Sequence, residues 1–103
     1  MNESDILSEL WAVIRERQGA PSAQSYTSRL FQAGTDEIVK KLGEEAIEVI
    51  VAAKGGQTEQ VAWEAADLLY HLWVALAQCN VPPEQVYAEL RRRRSPRQNG
   101  GRP

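Results

Sequence analysis

The chain has 103 residues, 43% hydrophobic and 25% charged, which is the balance of one ordinary folded domain with a modest core and excludes a disordered or fibrous polymer. Its net charge of −2 is lopsided: all 14 acidic residues precede residue 91 together with six of the 12 lysines and arginines, so the body carries −8 and the stretch from Arg91 onward +6. An acidic body repels a nucleic-acid backbone and attracts metal cations, and the single cysteine, Cys79, excludes an internal disulfide.

No segment alternates like a strand, and four or five helical stretches follow one another. Ser4 is placed to cap a first helix over about 5–18, in which Ile6, Leu7, Leu10, Trp11, Val13 and Ile14 recur at helical spacing until Gly19-Ala20-Pro21. A polar loop then leads into Ser25 to Ala33, a short helix or turn closed by Gly34. Thr35 is read as the cap of a long helix over about 36–54, with Asp36 and Glu37 at its positive end and Gly55-Gly56 as its stop.

Thr58 is read as the cap of a third long segment, about 59–79, stopped by Asn80, Pro82 and Pro83. Pro83 suits the first turn of a last helix carrying Val86, Tyr87 and Leu90, before the chain runs out in RSPRQNGGRP. The expectation is an all-α bundle of four to five helices spanning 1–93, followed by a basic, disordered tail over 94–103. The first residues lack the basic-then-apolar pattern of a secretory signal, and Ala65 to Cys79, interrupted by Asp67 and His71, is too short to span a bilayer. A cytoplasmic protein with no membrane and no nucleic-acid partner is expected.

The chemistry concentrates in two helices. Glu44, Glu45 and Glu48 lie in the second long segment and Glu64 and Asp67 in the third. Spacings of three or four residues put such side chains on one helical face, where they can converge on one ion. Solvated surface charge is the ordinary fate of helical glutamates. A helical wheel argues against it: with Ile38, Leu42, Val49 and Ala53 as the core stripe, Glu45 falls on that stripe's flank. The stripe of Val61, Ala65, Leu68, Leu72 and Leu76 likewise has Glu64 and His71 on one edge with Asp67 just beyond.

Gathering carboxylates there without a cation is costly. An all-oxygen donor set, without a cysteine or histidine cluster, points to Mg²⁺ or Mn²⁺ in preference to Zn²⁺. His71, four residues after Asp67, either orients a carboxylate, touches a substrate or is a plain core histidine. Trp63, Tyr70 and Trp73 make the third segment apolar on nearly every side, more than a small monomer covers, so at least a homodimer completes the bundle, with the metal sites near the interface.

The pattern Glu44-Glu45-x-x-Glu48 followed by Glu64-x-x-Asp67 resembles the all-alpha nucleotide pyrophosphohydrolases, the superfamily that includes MazG and dimeric dUTPases. Within it the chain is most similar to the phosphoribosyl-ATP pyrophosphatases of histidine biosynthesis. That finer likeness rests on Ser25-Tyr26-Thr27-Ser28-Arg29-Leu30-Phe31, on Lys40-Lys41-Leu42-Gly43-Glu44-Glu45 and on Ala66-Asp67-Leu68-Leu69-Tyr70-His71-Leu72, and it covers roughly 5–93. One departure is Arg29, where many members carry lysine; the charge survives, but the planar guanidinium grips a phosphate differently.

The resemblance implies hydrolysis of phosphoribosyl-ATP to phosphoribosyl-AMP and pyrophosphate, with Mg²⁺ (or Mn²⁺) held by Glu45, Glu48, Glu64 and Asp67. Glu44 and Glu45 are the candidates for handling the attacking water. Ser25, Tyr26, Thr27, Arg29, Lys40, Lys41 and His71 are the candidates for contacting substrate, although pairing of Lys40 and Lys41 with Glu44 and Glu45, at about 0.3–0.5 kcal/mol, is an equally ordinary use of those lysines. A separate phosphoribosyl-AMP cyclohydrolase is a possible partner. The alternatives are a general MazG-like NTP or dNTP pyrophosphatase and a non-catalytic helical dimerisation module.

Overall fold

The structure is a computed structural model and describes residues 5–94; the Ser4 cap and the part of the basic tail after Arg94 lie outside the described residues. Among the described residues there are five helices and no strand: α1 (Asp5–Gly19), α2 (Tyr26–Ala33), α3 (Thr35–Gly55), α4 (Thr58–Gln78) and α5 (Pro83–Arg94). The last helix therefore extends one residue into what the sequence reads as tail.

The α3–α4 hairpin is the frame. Gly56, at φ 73°, takes the left-handed conformation that glycine adopts without steric cost, and its N–H closes α3 onto the carbonyls of Ala52 and Ala53. With so short a link the two long helices must run antiparallel. At the far end Gln78 Nε2 donates to Thr35 Oγ1 at 2.8 Å, which fixes their register and brings Glu45 roughly level with Asp67 and Glu48 with Glu64.

Both threonine caps are corrected. Gly34, at φ 96°, ends α2 and begins α3 in a single residue, so Thr35 is already helical and its hydroxyl is free to meet Gln78. Gln57 occupies the cap position of α4, which leaves Thr58 as a first-turn residue. The short segment after the polar loop is a helix, and there Ser25 is the cap, accepting from the Ser28 N–H at 3.2 Å.

The core joins all four of the first helices: Ile14 from α1, Leu30 from α2, Ile38 from α3, and Trp73, Val74 and Ala77 from α4 are buried together. Polar ties hold α1 along α4, since Trp73 Nε1 donates to the Leu7 carbonyl and Gln18 Nε2 to that of Ala77, both at 3.2 Å. Tyr87 of α5 packs on Trp73.

The helical wheel for α3 is off by one position, because Ala52 is buried and Ala53 exposed. The α4 stripe is also rotated: Val61, Leu68, Leu72 and Leu76 are only half-buried, while Trp73, Val74 and Ala77 are inside. The reason is that α4 is gripped on two sides, by α3 and by α1, so its buried arc is set between them instead of by its most apolar stripe. Several large apolar side chains remain outside, among them Ile47, Ile50 and Val51 of α3 and Trp63 of α4, the last 70% exposed. No helix among the described residues is long and apolar enough to cross a membrane.

Candidate active site

Antiparallel packing of α3 and α4 gathers three of the five carboxylates. Glu45, Glu64 and Asp67 each place one oxygen within 4.8 Å of the others. Glu45 and Asp67 are half-buried and Glu64 is 9% exposed. Glu64 accepts one hydrogen bond, 2.7 Å from Gln60 Nε2 one turn earlier on α4. Among the described residues no lysine or arginine pairs with the trio. Three half-buried to buried anions sharing one neutral donor form a site that a divalent cation would relieve, and the hard oxygens suit Mg²⁺ or Mn²⁺.

Glu44 and Glu48 stand apart from the trio. Both are exposed on α3, and Glu44 pairs with Lys41 at 3.6 Å in an i,i+3 bridge that replaces the i,i+4 pairing expected from spacing. Lys40 is exposed and Lys41 half-buried on the same helix. Arg29 reaches out from α2, donating to the Ala23 carbonyl at 3.2 Å with its guanidinium 5.9 Å from the centre of the Tyr26 ring.

The α2 residues meet α4 through two hydroxyl contacts. Thr27 Oγ1 shares a close hydrogen bond with the Tyr70 hydroxyl, and the Tyr26 hydroxyl lies 3.1 Å from His71 Nε2. His71 is 7% exposed, and its Nδ1 sits 2.7 Å from the backbone carbonyl of Asp67. Both of its ring nitrogens are thus engaged inside the protein. Ser25 is committed to capping α2, which is the ordinary use of that residue type.

Tyr26 sits beside the acidic side of α3. Burial raises its phenol pKa above the ordinary 10, Lys41 pulls it back, and Glu45, Glu37 and Glu44 push it further up. Tyr70 is raised as well, first by burial, with the Thr27 hydrogen bond opposing and Tyr26 adding. Both phenols keep their protons at neutral pH.

Two contributors escape a reading based on candidate ligands. Gln60 lies four residues before Glu64, the spacing at which helical side chains meet, so its contact was readable as a pair. Tyr70 stands three residues after Asp67, but its bond to Thr27 crosses 43 residues of sequence and only the fold reveals it.

A family model described as "Phosphoribosyl-ATP pyrophosphohydrolase" matches residues 7–94. The "Phosphoribosyl-ATP pyrophosphatase" of Geobacter metallireducens is 53% identical over 94 residues, covering 90% of this chain and 86% of that protein. That of Pelotomaculum thermopropionicum is 49% identical over 94 residues, covering 91% and 96%. The "Histidine biosynthesis bifunctional protein HisIE" of Bacillus subtilis is 50% identical over 90 residues, 87% of this chain but 43% of that longer protein.

Proposed function

We propose a mechanism for a chain that belongs to the phosphoribosyl-ATP pyrophosphohydrolase family: metal-assisted hydrolysis of phosphoribosyl-ATP to phosphoribosyl-AMP and pyrophosphate, in histidine biosynthesis. The observation that carries the mechanism is the trio of Glu45, Glu64 and Asp67, whose oxygens lie within 4.8 Å of one another.

Those three residues would hold Mg²⁺ or Mn²⁺, with Glu48, level with Glu64 on α3, turning in as a fourth ligand. A divalent ion bound there supplies neutralisation of the polyphosphate's charge and polarisation of the phosphoryl group under attack. The chain's own residues do the rest. Glu44 or an unshared oxygen of Glu45 accepts the proton of the attacking water. Lys41, half-buried beside Glu44, and Lys40 and Arg29 meet the phosphates that the carboxylates would otherwise repel. Ser25, Tyr26 and Thr27 at the start of α2 and His71 of α4 would bind or orient the nucleotide.

The exposed apolar side chains of Ile47, Ile50 and Val51 on α3 and of Trp63 on α4 support a homodimer in which α3 and α4 of two chains form one bundle and shelter the open site. A cytoplasmic location and association with a separate phosphoribosyl-AMP cyclohydrolase complete the reading; the cyclohydrolase is suggested by relatives in which a domain like this one is less than half of a bifunctional protein. Pyrophosphate release from phosphoribosyl-ATP, assayed beside a panel of NTPs and dNTPs, tests the substrate. Turnover of phosphoribosyl-ATP far above the others is expected, and activity confined to dNTPs would overturn it.

A further inference from the structure

We infer that Gln60 is a positioning residue of the carboxylate site: its side-chain amide holds the Glu64 carboxylate in place for a divalent cation and so tightens the binding of that cation. The inference rests on the metal-assisted reading just given and adds to it a residue outside the trio. Gln60 lies in the first turn of α4 and is exposed, and its Nε2 is 2.7 Å from Glu64 Oε2 one turn further along.

A glutamine facing a glutamate four residues on is ordinarily a weak surface pair. Here the partner is not at the surface. Glu64 is 9% exposed, the most buried of the three carboxylates whose oxygens gather within 4.8 Å. A carboxylate that binds a cation carries no proton, so its oxygens can only accept, and the amide must turn its N–H side toward them. The bond is therefore compatible with the loaded site. The last torsion of a glutamate side chain is soft. Tying one oxygen to a neighbour on the same helix removes that freedom before the ion arrives, and less ordering is left for binding to impose.

The neutrality of the donor matters as much as its reach. A lysine or arginine in the place of Gln60 could make the same bond, but its charge would compete with the cation for the trio. Gln60 orients the carboxylate and leaves the negative charge to the ion. Among the described residues the ion pairs lie elsewhere, joining Lys41 to Glu44 and both Arg92 and Arg93 to Glu89.

Mn²⁺ binding, followed by electron paramagnetic resonance of the free ion during titration of the protein, tests this without substrate. Gln60→Met keeps the length of the side chain and its preference for helix but has no N–H. It is expected to raise the Kd for Mn²⁺ about tenfold, the low end of the roughly 10–100-fold usual when a residue that orients a ligand is lost. Gln57→Met makes the same change at an exposed position whose side chain does not cap α4, and is expected to leave the Kd within twofold. A Kd unchanged in Gln60→Met, or raised equally in Gln57→Met, would overturn the inference. Gln60→Lys should weaken Mn²⁺ at least as much as Gln60→Met, and binding as tight as wild type would overturn the role given to neutrality.

Kinetics separate positioning from folding. In turnover of phosphoribosyl-ATP by Gln60→Met, the Mn²⁺ concentration giving half-activation should rise by the same factor as the Kd while kcat at saturating Mn²⁺ stays within threefold. A fall in kcat with half-activation unchanged is the mark of a damaged fold and would overturn the positioning role. Wild-type protein that binds no Mn²⁺ would refute the metal reading and this inference together. Wild type and Gln60→Met binding Mn²⁺ equally well would refute this inference alone.

Discussion

Removal of one charge from the carboxylate trio should stabilise the metal-free protein and abolish its response to metal. In Glu64→Gln the amide oxygen keeps the hydrogen bond from Gln60, while two like-charge repulsions with Glu45 and Asp67, across no more than 4.8 Å, disappear. Coulomb's law at that separation gives about 1 kcal/mol per pair at the dielectric of water and about 3.5 kcal/mol at an effective value near 20. Because Glu45 and Asp67 are half-exposed, the low end applies, roughly 2 kcal/mol for the two pairs together, or about 8–16 °C in Tm for a domain of this size.

The wild type should respond in the opposite sense to ligand. Mg²⁺ or Mn²⁺ at about 100 times its Kd contributes about 2.7 kcal/mol, an upward shift of roughly 10–20 °C. Differential scanning fluorimetry, with and without EDTA, reads both effects on the same plate. The variant is expected to melt higher than wild type in EDTA, to gain nothing from metal, and to lose at least a hundredfold in pyrophosphate release. A variant that melts lower in EDTA and keeps the full metal shift would refute a shared cation site.

Ile14→Ala removes a fully buried side chain at the junction of four helices and should cost about 2–4 kcal/mol in chemical denaturation. Trp63→Asp, at a position 70% exposed in the single chain, should leave the helical signal of each chain intact yet drive the protein to monomer in analytical ultracentrifugation; a dimer unaffected by it would place the interface elsewhere. Glu48→Gln should lower turnover at least tenfold if Glu48 completes the metal shell, and leave it within twofold if it does not. For Tyr26 and Tyr70 the folded pKa values lie above the ordinary 10, so their contribution to stability is complete below pH 10 and is lost as pH rises through the folded values. Melts between pH 9 and 11.5, followed with tyrosinate absorbance, should show stability falling over that window, less steeply in Tyr70→Phe.

Helix number, order and approximate ends were legible because Gly19, Gly34, Gly55-Gly56 and Pro82-Pro83 punctuate strong apolar periods. Caps were less legible: Thr35 and Thr58 have the right chemistry, but Gly34 and Gln57 take the cap positions because tertiary packing, and not local preference, decides where the first turn begins. The trio was half readable. Spacing brings Glu64 and Asp67 together on one helix, and the wheel marks Glu45 as the glutamate nearest the core. That Glu48 points away at the same level is a matter of side-chain direction across the hairpin, which helical period alone does not supply. The pairing of Tyr26 with His71 and of Thr27 with Tyr70 was out of reach, since each joins α2 to α4 across more than 40 residues.

The most direct test of a metal held by the acidic hairpin is anomalous diffraction from crystals grown with Mn²⁺ as the only divalent cation. A peak within bonding distance of Glu45, Glu64 and Asp67, absent from Glu64→Gln crystals, is the expected result. No peak among those carboxylates in crystals of an enzyme that hydrolyses phosphoribosyl-ATP with Mn²⁺ would contradict the assignment.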